Sequence, residues 1–120
     1  MSVEALETVR QRLIKCFGNV VQIPEGVSVS WIAIDGRNAT LNAFLTPKGN
    51  LRIEFTRNLV KKIVRSSDDT AYMQLCSGNI IRICNKPSSQ FMYGTWDMSQ
   101  INHTMELLTE TLDILIGPAT

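Results

Sequence analysis

The chain has 120 residues, 44% of them hydrophobic and 19% charged, with a formal net charge of +1. This composition excludes a disordered chain and a surface built throughout for nucleic acid, and a chain this long buries roughly 65% of its unfolded surface, enough for one domain (1–120) without metal or disulfide staples. Charge is nevertheless unevenly placed. Lys48, Arg52, Arg57, Lys61, Lys62 and Arg65 face one acid, Glu54, within residues 48–65, whereas after Lys86 there are only acids: Asp97, Glu106, Glu110 and Asp113.

The N-terminus alternates acids and bases with apolar residues, and no apolar run exceeds four residues. The expectation is therefore no signal peptide, no membrane span and a cytoplasmic protein, or one in the host cytoplasm if viral. Cys16, Cys76 and Cys84 form an odd, widely spaced set, which reads as three reduced thiols. Without a secretory leader, the two glycosylation sequons at Asn38 and Asn102 read as chance occurrences.

Leu6, Val9, Leu13 and Cys16 recur at helical spacing and predict an opening helix, started by Ser2 and stopped at Gly18-Asn19. After the Pro24-Glu25-Gly26 loop the period becomes two. Val27, Val29, Trp31 and Ala33 predict a strand, and Ile32 and Ile34 on its other side predict a far end buried on both faces. Turns at Asp35-Gly36 and at 47–50 separate it from strands carrying Leu41, Ala43 and Leu45, then Leu51, Ile53 and Phe55. In residues 57–65, Leu59, Val60, Ile63 and Val64 sit at helical spacing, so a short helix is predicted, ended by Ser66-Ser67-Asp68-Asp69. Two more strands flank Ser77-Gly78-Asn79. The aromatic run 90–96 reads as an edge strand or an adhesive surface patch. Met98, Ile101, Met105, Leu108, Leu112 and Leu115 predict the closing helix, with Asp97 and Gln100 as a capping box and Gly117-Pro118 as its stop.

The predicted fold is α+β: an antiparallel sheet of about five strands in the order α-β-β-β-(α)-β-β-α, packed against N- and C-terminal helices. This order is loosely similar to that of compact secretion chaperones, which surround an antiparallel sheet with helices and dimerise. Those are acidic, however, and no motif is shared, so no family membership follows.

Catalytic chemistry has little to stand on. The lone His103 lies off the apolar seam of its helix and reads as solvent-facing, and Asp68-Asp69 reads as a solvated turn. Cys76 and Cys84 sit too asymmetrically about their turn to form a clip, and no phosphate-binding glycine loop occurs. No catalytic residue, metal site, cofactor or small-molecule substrate is assigned, and an enzyme is not expected.

Two binding surfaces remain. If 57–65 is a helix, Arg57, Lys61 and Arg65 line one face beside Lys62, Arg52 and Lys48, a stripe suited to phosphates or an acidic partner, or else simply a solvated face. The second is apolar. Leu107 and Ile114 widen the stripe of the last helix, and Phe91, Tyr93 and Trp96 are of the residue types enriched at binding hot spots. The reading is a small non-enzymatic protein-interaction module, accessory, chaperone-like or regulatory, acting as a homodimer or on a protein partner. The alternative is a nucleic-acid-binding module using residues 48–65.

Overall fold

The computed structural model describes residues 2–60, 63–86, 88–97 and 101–117. Two helices, α1 (Ser2–Phe17) and α2 (Ile101–Ile116), bracket eight strands: β1 (Val21–Ile23), β2 (Gly26–Ile32), β3 (Asn38–Leu45), β4 (Leu51–Thr56), β5 (Ile63–Ser67), β6 (Thr70–Gln74), β7 (Ile80–Cys84) and β8 (Phe91–Trp96). They form one antiparallel sheet in the order β1-β2-β3-β4-β8-β7-β6-β5. The α+β class stands, but about five strands is too few.

Each undercounted strand has a physical reason. β1 is three residues long and too short to display alternation. β8 is central, between β4 and β7, not an edge strand or a surface patch. It turns Met92, Gly94 and Trp96 inward, and Gly94 leaves its space to the Trp96 ring, which a Cβ there would meet at 2.6 Å. A glycine in a core position hides the alternation. Among the described residues of 57–65 there is no α-helix. A 3-10 turn at Arg57–Leu59 gives way to β5, which a two-residue turn joins to β6 with Asp68 at a φ of 45°. The β-branched Ile63 and Val64, with the Asp68-Asp69 turn, outweigh the helical spacing.

Pairing register puts one set of strand residues inward. Val29, Leu41, Phe55 and Met92 lie in one row across β2, β3, β4 and β8, and Ala43, Ile53 and Gly94 in another. All of these but Gly94, together with Ala5, Val9 and Leu13 of α1 and Leu108, Leu112 and Leu115 of α2, belong to one buried cluster. The inward face of α1 is thus Ala5-Val9-Leu13; Cys16, expected on the seam, is exposed. The α1 helix ends where Gly18 takes a φ of 79° and its N–H reaches the Ile14 carbonyl, an αL stop that glycine adopts without steric cost. At β2, Gly26 is obligatory for another reason: a Cβ would lie 2.0 Å from the Ala43 carbonyl oxygen.

The opposite face of the sheet carries Ser28, Asn42, Arg52, Glu54, Tyr93 and Cys84, half-buried. Ile32 and Ile34 are not buried at all: they are 64% and 99% exposed at the tip of the β2–β3 hairpin. That corrects the expectation of a doubly buried strand end. No helix among the described residues is long and apolar enough to cross a membrane. Met98 and Gln100, expected to open α2, lie outside the described residues.

Candidate binding cleft

Where the far end of β2, the 3-10 turn, the end of β6 and the last turn of α2 converge, the layers leave an apolar cleft of about 820 Å³. The β2–β3 hairpin supplies Trp31 and Ile34, and the Phe17 ring supports Trp31 with centroids 4.5 Å apart. Leu59 comes from the 3-10 turn, Met73 and Leu75 from β6 and its turn, and Ile114 and Ile116 from α2. The sequence fixes this meeting point through two tight turns. At the first, the Ala33 N–H bonds the Arg37 carbonyl, Gly36 takes a φ of 81°, and Asp35 Oδ1 accepts the Arg37 N–H. At the second, the Leu75 N–H bonds the Asn79 carbonyl.

Polar groups on the wall are few. Asn58 Nδ2 donates to Asp35 Oδ1 at 3.4 Å and to the Asn38 carbonyl at 3.3 Å. Both contacts are long enough to be weak. Asn58 Oδ1 is buried and accepts no hydrogen bond. Among the described lining residues, Asp35 alone carries a full charge. A largely apolar cleft with a few polar groups is the usual form of a binding site.

The described basic residues of 48–65 are dispersed over the structure. Lys48 is exposed in the β3–β4 turn. Arg57 is consumed by structure: its guanidinium donates to Asn85 Oδ1 at 3.0 Å, to the Lys86 carbonyl at 2.6 Å and to the Ser89 carbonyl, and so holds the β7–β8 connection. Lys61 and Lys62 lie outside the described residues. Arg52 and Arg65 come to the polar face of the sheet, separated by β8, β7 and β6. Arg52 pairs with Glu54 at 2.8 Å and lies between two rings, 3.6 Å from the Tyr93 centroid and 5.7 Å from that of Phe44. Arg65 lies 4.2 Å over Tyr72. Next to this stack, a hydrogen bond with Cys84 and partial burial hold the Tyr93 hydroxyl above its ordinary pKa.

The expected apolar interface is likewise dispersed. Trp96 is core, 6% exposed. Phe91 and Tyr93 are half-buried on the polar face, and Leu107 and Ile114 are half-buried against the core. Of the five, Ile114 alone lines the cleft. Sequence reasoning missed Ile34, Asp35 and Asn58 as site residues. A signal for Ile34 was present: an isoleucine directly before Asp-Gly in a tight hairpin has no partner strand to cover it. Nothing local marks Asn58. Of His103 only its place in α2 is described. Among the described residues no group of three or more His, Cys, Asp or Glu could hold a metal ion. No family model, curated protein or solved structure matches the chain.

Proposed function

We propose that this chain is a small non-catalytic interaction module that self-associates, the Ile34-bearing hairpin tip of one copy entering the cleft of a second. The observation that carries this reading is adjacency: Ile34, 99% exposed, is itself part of the cleft wall. A projecting apolar knob beside an apolar hole is what a two-fold, self-complementary contact needs, since each copy gives and receives the same group. Asp35 and Arg37 flank the knob with opposite charges, so a two-fold arrangement can oppose unlike signs. Burying an isoleucine contributes about 1.5–3 kcal/mol, so Ile32 and Ile34 from two copies contribute about 6–12 kcal/mol, against an association cost of about 4–15 kcal/mol. The dimer is therefore weak and concentration-dependent, in keeping with an accessory or regulatory role. The exposed free thiols Cys16 and Cys76 suit a reducing cytoplasm. Light scattering on a size-exclusion column over a concentration series tests this. The mass should climb toward that of a dimer for the native chain and stay monomeric for Ile34→Asp. A native chain that stays monomeric throughout, or a variant that dimerises equally, rejects it.

A second reading is favoured by one observation. The polar face carries Arg52, Arg65 and Arg82 with Phe44, Tyr72 and Tyr93, cations and rings interleaved across six strands. Such a face can stack bases and meet phosphates, which relocates the nucleic-acid alternative from residues 48–65 to the sheet. Binding of a labelled single-stranded oligonucleotide at about 50 mM salt, lost at about 500 mM and weakened by Arg65→Gln with Arg82→Gln, is the expected result. Absence of binding at the lower salt rules it out.

A further inference from the structure

We propose, resting on the nucleic-acid reading of the polar face, that a single strand of nucleic acid crosses the sheet at right angles to the β-strands, its phosphates held by Arg65 and Arg82 on either side of Tyr72. Pairing register assembles the path. Arg65, Tyr72 and Arg82 face one another across β5, β6 and β7, and Thr95, Arg52 and Phe44 do so across β8, β4 and β3. β7 meets β8 at Cys84 and Tyr93. Arg82, two residues before the first, and Thr95, two after the second, lie to the same side of that joint. Ala71, Met73 and Ile83 are buried, so alternation turns Tyr72 and Arg82 outward. Arg65 lies 4.2 Å over the Tyr72 ring, on the same face.

The three arginines of this path are not equivalent. Arg52 is answered within the sheet, by Glu54 at 2.8 Å and by the rings of Tyr93 and Phe44, and belongs to the floor on which bases stack. Arg65 and Arg82 are exposed, and among the described residues neither forms an ion pair. Their planar forks match phosphate oxygens. Two strand spacings, about 10 Å, separate their backbones, so they meet different phosphates. Direction follows from the acids. Nucleic acid lying along β5 and β6 would run to Asp68 and Asp69, both exposed at the turn. The neighbouring outward row, Asn42, Glu54, Tyr93 and Cys84, contains Glu54. The path from Arg65 to Phe44 carries no acid. Its rings need bases freed from a duplex, which specifies a single strand.

The test is fluorescence anisotropy of a labelled oligothymidylate of about eight nucleotides, titrated with the native chain at a series of salt concentrations from about 50 mM upward. Arg65→Gln and Arg82→Gln should each weaken binding and make the plot of log affinity against log salt shallower by about 0.7, the value for one single-strand phosphate contact. Both residues are exposed, so the melting temperature should stay native. Lys15→Gln, on α1 behind the sheet, should leave the slope as it is. Tyr72→Leu should weaken binding about twofold to fivefold at an unchanged slope, because it removes the ring that holds Arg65 flat, and Tyr72→Phe should restore it. Inorganic polyphosphate, which has charge but no bases, should compete less well than unlabelled oligothymidylate of equal charge. Binding whose slope is untouched by both Arg65→Gln and Arg82→Gln overturns this path and leaves the broader nucleic-acid reading standing. Equal competition by polyphosphate overturns the stacking floor, and no binding at the lowest salt overturns path and reading together.

Discussion

Arg12 of α1 and Asp113 of α2, 101 positions apart, form an ion pair at 2.5 Å that ties the two ends of the chain together. The same guanidinium donates to the carbonyl of Gly117 at 2.7 Å and to that of Thr109 at 3.2 Å, so Arg12 closes the C-terminal end of α2, where the dipole favours a cation. The end it closes is the wall of the cleft, since Ile114, Ile116 and Gly117 line it.

Arg12→Ala should therefore destabilise the fold by about 2–3 kcal/mol in chemical denaturation, more than a surface ion pair and less than a fully buried one, because Arg12 is 12% exposed and Asp113 34%. Arg12→Lys should recover less than half of the loss. An ammonium cannot present the planar fork that reaches a carboxylate and two carbonyls together. Full recovery by lysine would mean that charge, and not geometry, matters here.

This pair shows where the sequence stops being legible. The two terminal helices and the strands around Val29, Leu41 and Ile53 were readable because apolar period and turn chemistry agree there. Neither Arg12 nor Asp113 carries any local mark of the other. The 57–65 stretch misled for the opposite reason: Leu59, Val60, Ile63 and Val64 satisfy a helical spacing, and what decides the conformation is pairing with β6, a contact made only in the folded chain. The site followed the same rule. Its walls come from five separated segments, and the one residue foreseen in it, Ile114, was chosen for the width of a helix stripe.

Gly26→Ala should cost about 3 kcal/mol or more, read as a lowered denaturation midpoint or loss of soluble protein. The added Cβ would sit 2.0 Å from the Ala43 carbonyl oxygen and 2.5 Å from Phe44 Cβ. Both obstacles belong to the paired strand β3, so no side-chain rotation relieves the clash. A variant as stable as the native chain would show that β2 and β3 can separate here.

Neutralising the basic residues of 48–65 one at a time should separate structure from surface. Arg57→Gln should lower the melting temperature and speed amide exchange at Asn85 and Ser89, because three acceptors lose their donor. Lys48→Gln, in an exposed turn, should leave both unchanged within about 0.5 kcal/mol. If Arg57→Gln left exchange untouched, its hydrogen bonds would not be what holds the connection.

Alkaline stability offers the sharpest reading of the polar face. The Tyr93 hydroxyl is held above its ordinary value of 10.0, first by its hydrogen bond with Cys84 and then by burial, with the Arg52 guanidinium acting in the other direction. A proton held more tightly in the folded chain than in the unfolded one stabilises the fold, fully below the unfolded value, and that contribution disappears as pH rises through the folded one. The stability of the native chain should thus fall as the solution is taken above about pH 10, and Tyr93→Phe should flatten that part of the decline while behaving like the native chain near neutrality apart from the lost hydrogen bond. Cys84→Ala should remove the leading cause and bring the tyrosine titration, followed by its ultraviolet absorbance, back toward the ordinary value. An absorbance titration of Tyr93 that is the same in the native chain and in Cys84→Ala would mean that burial alone holds the proton, and the Cys84–Tyr93 contact that joins β7 to β8 would lose its assigned role.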